Sequence, residues 1–557
     1  MSAGAIPVPT LRQAIAFEFT AACLRLRRFG ADAFRGRPGR IRFGDSLEEA
    51  PLLAECRLPL WPVEEVDPNF VIGKIQNLRV ARIRLDGIEA AAGEVFSFWR
   101  QVGRAASWRG FVIGRELREG CLVPAIGGGL CLLSNAIYDC ALRAGLQIIE
   151  RHPHTRALPG SLAEHDRDAT VFWNYVDLRL SASFPWRLEV AMDAYSLCVR
   201  IHGVRSDAAV AIPLTHRAIT DIEDCASCGR TDCHRHSFFK PVATRRLWWL
   251  EESWPEFVQH LSRSRRDGDI VFGDADHPLP ARSGLHRLAQ SVRWRYGLTR
   301  GRPLPQLRLA ELSRAAMQLQ RCLQPGDLDL VAPQSLLPFL WQAGALAGRR
   351  YQVLMTALPM SEIQAVLNDA VSRHPTCPSL KDFRAPTELV RAERDALENA
   401  DALLSPHAMV HSLFGNKVKL LDWSLPQPVP RASDDKQNLR RVFFPASALA
   451  RKGIFELIEA ARGLPVEILL PPGDTEPGLQ SPALRRVESY RAGLQQADVV
   501  ALPAWIEHQP RGLLAAISSG IPVIATSNCG LPAHGSRHRV QAGDVDELRA
   551  ALISILQ

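Results

Sequence analysis

The stretch "DVVALPAWIEHQPRGLLAAISSGIPVIAT", residues 498 to 526, decides how the C-terminal half reads. "DVVALP" is a short apolar run of strand type, "RGLLAAISSG" is a helix closing on Gly520, and "PVIAT" is a second apolar run. Glycine just past a helix can take the left-handed conformation that ends it. Short apolar runs separated by helices are the pattern of parallel strands covered on both faces. Working outward, "RRVFFPAS" reads as a strand, and "KGIFELIEAARGL" as a helix with Ile454, Leu457, Ile458 and Ala461 on one face. "VEILLPP" is a further strand, "ALRRVESYRAGLQQA" a helix, and "DVDELRAALISIL" a capped final helix. This is a doubly wound α/β domain. Ligands of such domains meet the carboxyl ends of the strands, here in loops 503–512 and 526–536. The alternation begins near residue 244, through "DIVFG", "LDLVAP", "YQVLMTAL" and "ADALLSP".

The first half has another texture. Residues 70–205 hold β-like runs ("RVARIRLDGI", "ATVFWNYVDLRLSASF", "WRLEVAMD", "SLCVRIHG") and one clear helix after a triple glycine, an α+β pattern. The expected organisation is a lead-in at 1–60, an α+β domain at 61–220, a Cys/His linker at 221–243, and two α/β Rossmann-like lobes at 244–425 and 426–557. A chain of 557 residues exceeds one ordinary core, which agrees with several domains.

The net charge of +8 suits anionic partners such as nucleotide-sugars, nucleic acid or anionic lipid surfaces. Both signs are interspersed and no long basic run occurs, so no specific nucleic-acid partner is expected. The N-terminus lacks the charged-then-apolar order of a secretory signal, and no run reaches the roughly 18 apolar residues of a membrane span. Residues 11–29 form an amphipathic basic helix, which can either touch a membrane peripherally or pack on the next domain. The 12 cysteines show no regular disulfide framework, and reduced thiols in the cytoplasm are expected.

"GGGLCLLSNAIY" (127–138) places Cys131 at a helix start, where unpaired amides and the dipole favour an anion. His152 and His154 of a strand-like "ERHPHT" follow, and a second strand offers Asp168. Cysteine on a helix, then histidine, then aspartate is the chain order of papain-like and transglutaminase-like sites. The other reading is packing: glycines that admit a close neighbour or a phosphate, with Cys131 a small core residue between leucines.

"CASCGRTDCHRH" offers Cys225, Cys228, Cys233 and His236, with His234 as an alternate. A C-x₂-C pair supplies two ligands from one turn, and Zn²⁺ takes four N/S ligands. A structural zinc that staples the boundary between the halves stands beside a surface loop of unliganded thiols.

Residues 70–180 resemble the VanW family. "GEVFSFWRQVG" (93–103), "GGGLCLLSNAIYDCALRAGLQIIERHPH" (127–154) and "RDATVFWNYVDLRL" (167–180) are similar to its conserved segments. That resemblance implies an association with glycopeptide resistance and the cell envelope, and names no reaction. Residues 244–557 resemble GT-B glycosyltransferases related to family 4, most clearly in "ENADALLSPHAMVHSLF", "ALARKGIFELIEAARGL", "LPAWIEHQPRGLLAAISSGIPVIATSNCGLP" and "AGDVDELRAALISIL". The resemblance implies a nucleotide-sugar donor whose diphosphate meets Lys452, beside Arg451 and Gly453. It also implies Glu507 against the donor sugar, Gly530 and Leu531 in the donor-site stretch, and an envelope-related acceptor. Two departures stand out: the family's second glutamate falls on Ala515, and its Gly-Arg pair on Ala446 and Ser447. Expected, then, is a cytoplasmic envelope glycosyltransferase, peripheral at the inner face of the membrane. The alternatives are a degenerate nucleotide-sugar-binding or scaffold protein, and cysteine-dependent chemistry in the first half. Glu507 as a helix cap and Lys452 as a solvated helix-start residue are the bland readings of those two positions.

Overall fold

The computed structural model describes residues 10–36, 38–61, 68–118, 120–154, 156, 160–205, 216–217, 222–225, 228–229, 233, 244–250, 254–273, 299, 304–431, 439–532 and 538–556. The chain divides into two compact units. One holds Met1–Arg245 with Gln324–Leu328 and Leu346–Arg350, and the other holds Arg246–Leu323, Asp329–Ala345 and Tyr351–Gln557.

In the first unit the strands are β1 (Arg42–Phe43), β2 (Leu52–Pro59), β3 (Ile88–Ala90), β4 (Phe96–Ser97), β5 (Ile113–Arg118), β6 (Cys121–Ile126), β7 (Gln147–Glu150), β8 (Arg179–Ser181), β9 (Trp186–Met192), β10 (Ser196–Gly203) and β11 (Glu223–Asp224). The helices are α1 (Leu11–Arg35), α2 (Pro68–Arg82), α3 (Phe98–Val102) and α4 (Cys131–Ala144). The main sheet runs β1-β3-β9-β10-β2, and smaller sheets run β4-β8-β7 and β11-β6-β5. Strict alternation along β9 turns Trp186, Leu188, Val190 and Met192 into the core. There they join Leu133, Ile137, Cys140 and Ala141 of α4. The lead-in contributes β2, which pairs antiparallel with β10.

Two strand readings are corrected. Residues 79–82 of "RVARIRLDGI" finish α2, because Val71, Ile75, Leu78 and Ala81 recur at helical spacing and are all buried. Of "ATVFWNYVDLRLSASF" only Arg179–Ser181 is a strand. Upstream, Asn174 at φ 66° bends the chain so that Phe172 and Val176 meet in an isolated bridge. Asp168 and the segment 152–154 are therefore irregular backbone, not strand.

Two six-stranded sheets, drawn mainly from the second unit, follow among the described residues. The first, in order, contains Ile270–Phe272, Arg245–Trp249, Asp327–Pro333, Arg350–Leu354, Ala402–Ser405 and Val418–Leu420. The second contains Leu484–Arg486, Val466–Leu470, Arg440–Phe443, Val499–Leu502, Val523–Thr526 and His538–Val540. All neighbours in the second sheet are parallel. Its order reverses between Arg440–Phe443 and Val499–Leu502, the switch point where open α/β sheets leave a crevice. The expected helix over "ALRRVESYRAGLQQA" is corrected to the strand Leu484–Arg486 and the helix Tyr490–Gln496. Ser489 caps that helix through Ala492 N at 3.1 Å.

Candidate functional site

Both loops leaving the switch point carry predicted residues. After Arg440–Phe443 the chain enters a short 3₁₀ turn, Ala450–Lys452, and Gly453 follows at φ +80°. A Cβ on Gly453 would lie 2.0 Å from the Pro503 carbonyl oxygen, so only glycine lets the two loops approach. The approach is sewn by the Arg451 carbonyl, which accepts from Trp505 N at 3.1 Å and Ile506 N at 3.2 Å. Across it, Lys452 Nζ donates to Glu507 Oε2 at 2.8 Å and to the Ile506 carbonyl at 3.0 Å. Both side chains are largely buried. Burial alone would raise the Glu507 carboxyl, but the charge and hydrogen bond of Lys452 hold it below the usual carboxylate range.

Glu507 Oε1 accepts from Gln509 N at 3.0 Å, whereas the helix Arg511–Ser518 begins on Pro510 with no side-chain cap. The Arg451 guanidinium turns to Asp382, at 3.5 Å, and lies over the Phe383 ring. Gly530, at φ +65°, sits where a Cβ would meet the His407 ring at 2.2 Å. His407 Nε2 in turn contacts the Glu507 carbonyl at 3.1 Å. Leu531 is buried in the same core.

Three residues here were not singled out from sequence: His407, His508 and Tyr490. Both ring nitrogens of His508 and the Tyr490 hydroxyl are buried without a hydrogen-bond partner among the described residues. Burial, with Lys452 and His407 nearby, pushes the His508 imidazole down to about 3. Burial and the Glu507 charge push the Tyr490 phenol up. The histidine beside Glu507 in "WIEHQP" was the available signal.

In the first unit the structure gathers Cys131, His154 and Asp168. Gly127 and Gly129, at φ +83° and +93°, bring the chain into α4, and a Cβ on Gly128 would lie 2.5 Å from Arg115 N. The glycines thus allow close packing and at the same time place Cys131 as the first residue of α4. Helix α4 is tied to the 168–170 segment by Ser134 Oγ to the Ala169 carbonyl (2.6 Å) and by Ala169 N to Asn135 Oδ1 (2.8 Å). That segment is tied to the histidines by Thr170 N to the His152 carbonyl, 2.7 Å. Asp168, fully buried, accepts from His154 Nδ1 and from His154 N, each at 2.6 Å, and from Arg151 Nη2 at 2.9 Å. Cys131 is an electrostatic neighbour of the same imidazole. Burial would lower His154, yet the bond to Asp168 and the neighbouring Cys131 outweigh it and hold the ring up to about 9. His152 lies apart, half exposed, against Glu150 Oε1 at 3.2 Å.

Cys225 is buried; Cys228 Sγ reaches its carbonyl at 3.5 Å, and Cys233 is partly exposed. Parallel pairing of β11 with β6 sets Cys121 beside Glu223. Burial, then the neighbouring sulfurs of Cys228, Cys233 and Cys121, raise the Cys225 thiol. Among the described residues no group of three or more His, Cys, Asp or Glu is placed to hold a metal ion, and His236 lies outside them.

Residues 73–202 match the family described as VanW like protein, and residues 482–557 the family described as Glycosyl transferases group 1. The chain is 32% identical over 108 residues to the uncharacterized protein YoaR of Bacillus subtilis, covering 19% of this chain and 35% of that protein. It is 33% identical over 117 residues to the vancomycin B-type resistance protein VanW of Enterococcus faecalis, covering 20% and 42% respectively. The chain thus spans under half the length of these relatives. Among solved structures it is similar to the sucrose-phosphate synthase of Thermosynechococcus elongatus, at 18% identity and TM-score 0.33, over 44% of this chain and 70% of that one. It is also similar to Anabaena HepE in complex with UDP and glucose, at 16% identity and TM-score 0.34, over 57% and 90%. The molecule therefore joins a stretch similar to VanW like protein, residues 73–202, to a stretch similar to the group 1 glycosyl transferases, residues 482–557.

Proposed function

We infer that the second unit transfers a sugar from a nucleotide-sugar donor to a cell-envelope acceptor. The observation that carries this reading is the Lys452–Glu507 pair at the switch point of the parallel sheet. A lysine ammonium has three donors, and two are engaged here. The third suits an oxygen of the donor diphosphate, where positive charge offsets the charge that develops as the sugar–phosphate bond breaks. Glu507, kept ionised by Lys452, suits the sugar hydroxyls. The nitrogens of His508 and the hydroxyl of Tyr490, without partners among the described residues, give the site polar atoms that a bound ligand can satisfy. The VanW resemblance supports an envelope acceptor. Supporting a peripheral membrane position, α1 exposes Leu11, Ile15, Phe19, Leu26 and Phe29. Among the described residues no helix is long and apolar enough to cross a membrane.

A second reading, binding without turnover, rests on Ala515. This residue lies on the helix Arg511–Ser518, where the related enzymes carry a ribose-gripping glutamate. Saturation-transfer binding with a panel of nucleotide-sugars, followed by a donor-hydrolysis assay, separates the two. Hydrolysis or transfer supports the enzyme, binding alone supports the second reading, and no binding removes both. Within that assay Glu507→Gln is expected to weaken nucleotide-sugar far more than free nucleotide. Equal losses for the two ligands remove Glu507 from the sugar contact.

A further inference from the structure

We propose that the VanW-like domain houses a thiol-dependent acyl-transfer site, in which Cys131 is the nucleophile, His154 its proton carrier and Asp168 the residue that positions His154. This site is independent of the sugar-transfer reading. Nucleophilic thiol chemistry needs three things at once: a partly accessible sulfur, an imidazole beside it, and a group that fixes the imidazole's orientation. All three are present. Cys131 is partly exposed, unlike the buried Cys56, Cys140 and Cys198 in the same unit. Asp168 holds His154 through Nδ1, Ser134 Oγ bonds both the Cys131 and Ala169 carbonyls and so lays this segment against the start of α4, and Cys131 is an electrostatic neighbour of the imidazole. With Nδ1 committed to the carboxylate, Nε2 is the nitrogen left to exchange a proton with sulfur.

Asp168 is itself locked. Besides His154 it holds Arg151, whose Nε also donates to the Asp168 carbonyl at 2.7 Å. Arg217 lies 3.5 Å from the same carboxylate and donates to the His154 carbonyl at 2.7 Å. Asp166 and Tyr138 complete the titratable surroundings through Arg151. So much support around one carboxylate–imidazole pair exceeds what packing a small thiol requires, and pre-organised support of this kind is what a reacting group needs.

The substrate class is an acyl group on an alcohol, thiol or amine. The Cys131 thiol passes its proton to a neutral His154, giving thiolate and imidazolium, and the sulfur then forms a bond to the acyl carbon while the carbonyl π pair moves to oxygen, beside the first-turn amides of α4. As the bond to the leaving atom breaks, that atom takes the proton held on His154, and a thioester remains on Cys131. Water then adds to the thioester and gives its proton to His154. The carbon–sulfur bond breaks, releasing the acid and restoring the thiolate and imidazolium. No oxidant or reductant enters.

The test uses the full chain and two probes. Iodoacetamide at pH 7, with peptide mapping, compares Cys131 with Cys23, which is exposed on α1 and serves as an internal reference. Cys131 is expected to alkylate at least about tenfold faster, given the usual gain from a positioned base. His154→Gln is expected to bring it to the Cys23 rate, and Asp168→Asn to shift the pH profile of alkylation. The second probe is p-nitrophenyl acetate. It is expected to leave one acetyl group on the Cys131 peptide, with turnover lost in Cys131→Ala. If Cys131 in the unaltered chain reacts no faster than Cys23, or the acetyl group lands elsewhere, the proposal is wrong. Those readings need no variant to fold.

Discussion

Two buried histidines sit in the two sites and are pushed in opposite directions. His154 is held up to about 9 and His508 down to about 3. Burial acts the same way on both, disfavouring the charged ring. The difference is the partner. His154 donates to a carboxylate that is itself fixed, so its protonated form is favoured. Beside His508 the carboxylate of Glu507 is already taken by Lys452, and that ammonium repels a second positive charge. One site therefore stores a proton next to a thiol. The other keeps neutral polar atoms beside one ammonium–carboxylate pair.

Breaking that pair is expected to have the largest effect. Lys452→Met leaves Glu507 buried and uncompensated, which costs about 3–5 kcal/mol, read as a fall in the urea midpoint. A loss under about 1 kcal/mol would mean that the pair behaves as a surface salt bridge. Gly453→Ala comes next. The new Cβ meets the Pro503 carbonyl at 2.0 Å in a left-handed conformation. About 2 kcal/mol of destabilisation is expected, with donor binding weakened as the two loops separate.

The two histidines act on stability at opposite ends of the pH range. Folding favours the protonated His154. Its stabilisation is complete below about pH 6.5 and is lost as pH rises through about 9. Folding favours the neutral His508, so stability is unaffected above about pH 6.5 and falls as pH drops toward about 3. In urea midpoints measured across pH, His154→Gln is expected to flatten the alkaline limb, and His508→Gln the acid limb. If both substitutions alter the same limb, the contrast drawn here fails. The smallest effect belongs to Ser134→Ala, which loses the 2.6 Å bond to the Ala169 carbonyl. About 1 kcal/mol is expected, together with slower alkylation of Cys131 if that bond aligns Asp168 with α4.

Local chemistry made much of the molecule readable. Gly520 ends its helix at φ +70°, and Ile454, Leu457 and Ala461 are buried on one helix face. The triple glycine before Cys131 and the loop after "DVVALP" both pointed at sites because backbone freedom and strand-end loops are local signals. "RVARIRLDGI" misled because β-branched residues interrupt what is a 3.6-residue period.

An α+β first half, a doubly wound second half, Cys131 at the start of a helix and Lys452 and Glu507 in loops at strand ends were legible from local residue patterns, whereas the strand read for Asp168 was not borne out. Only the tertiary structure decided which of His152 and His154 meets the thiol. The two are separated by one residue, and on irregular backbone no periodicity says which ring points inward. Thr170, Arg151 and Asp168 make that choice through bonds that form only when segment 168–170 lies against α4. It also decided that Lys452 meets Glu507, because that pairing follows from Arg440–Phe443 and Val499–Leu502 being sheet neighbours, a long-range parallel contact that local sequence does not encode.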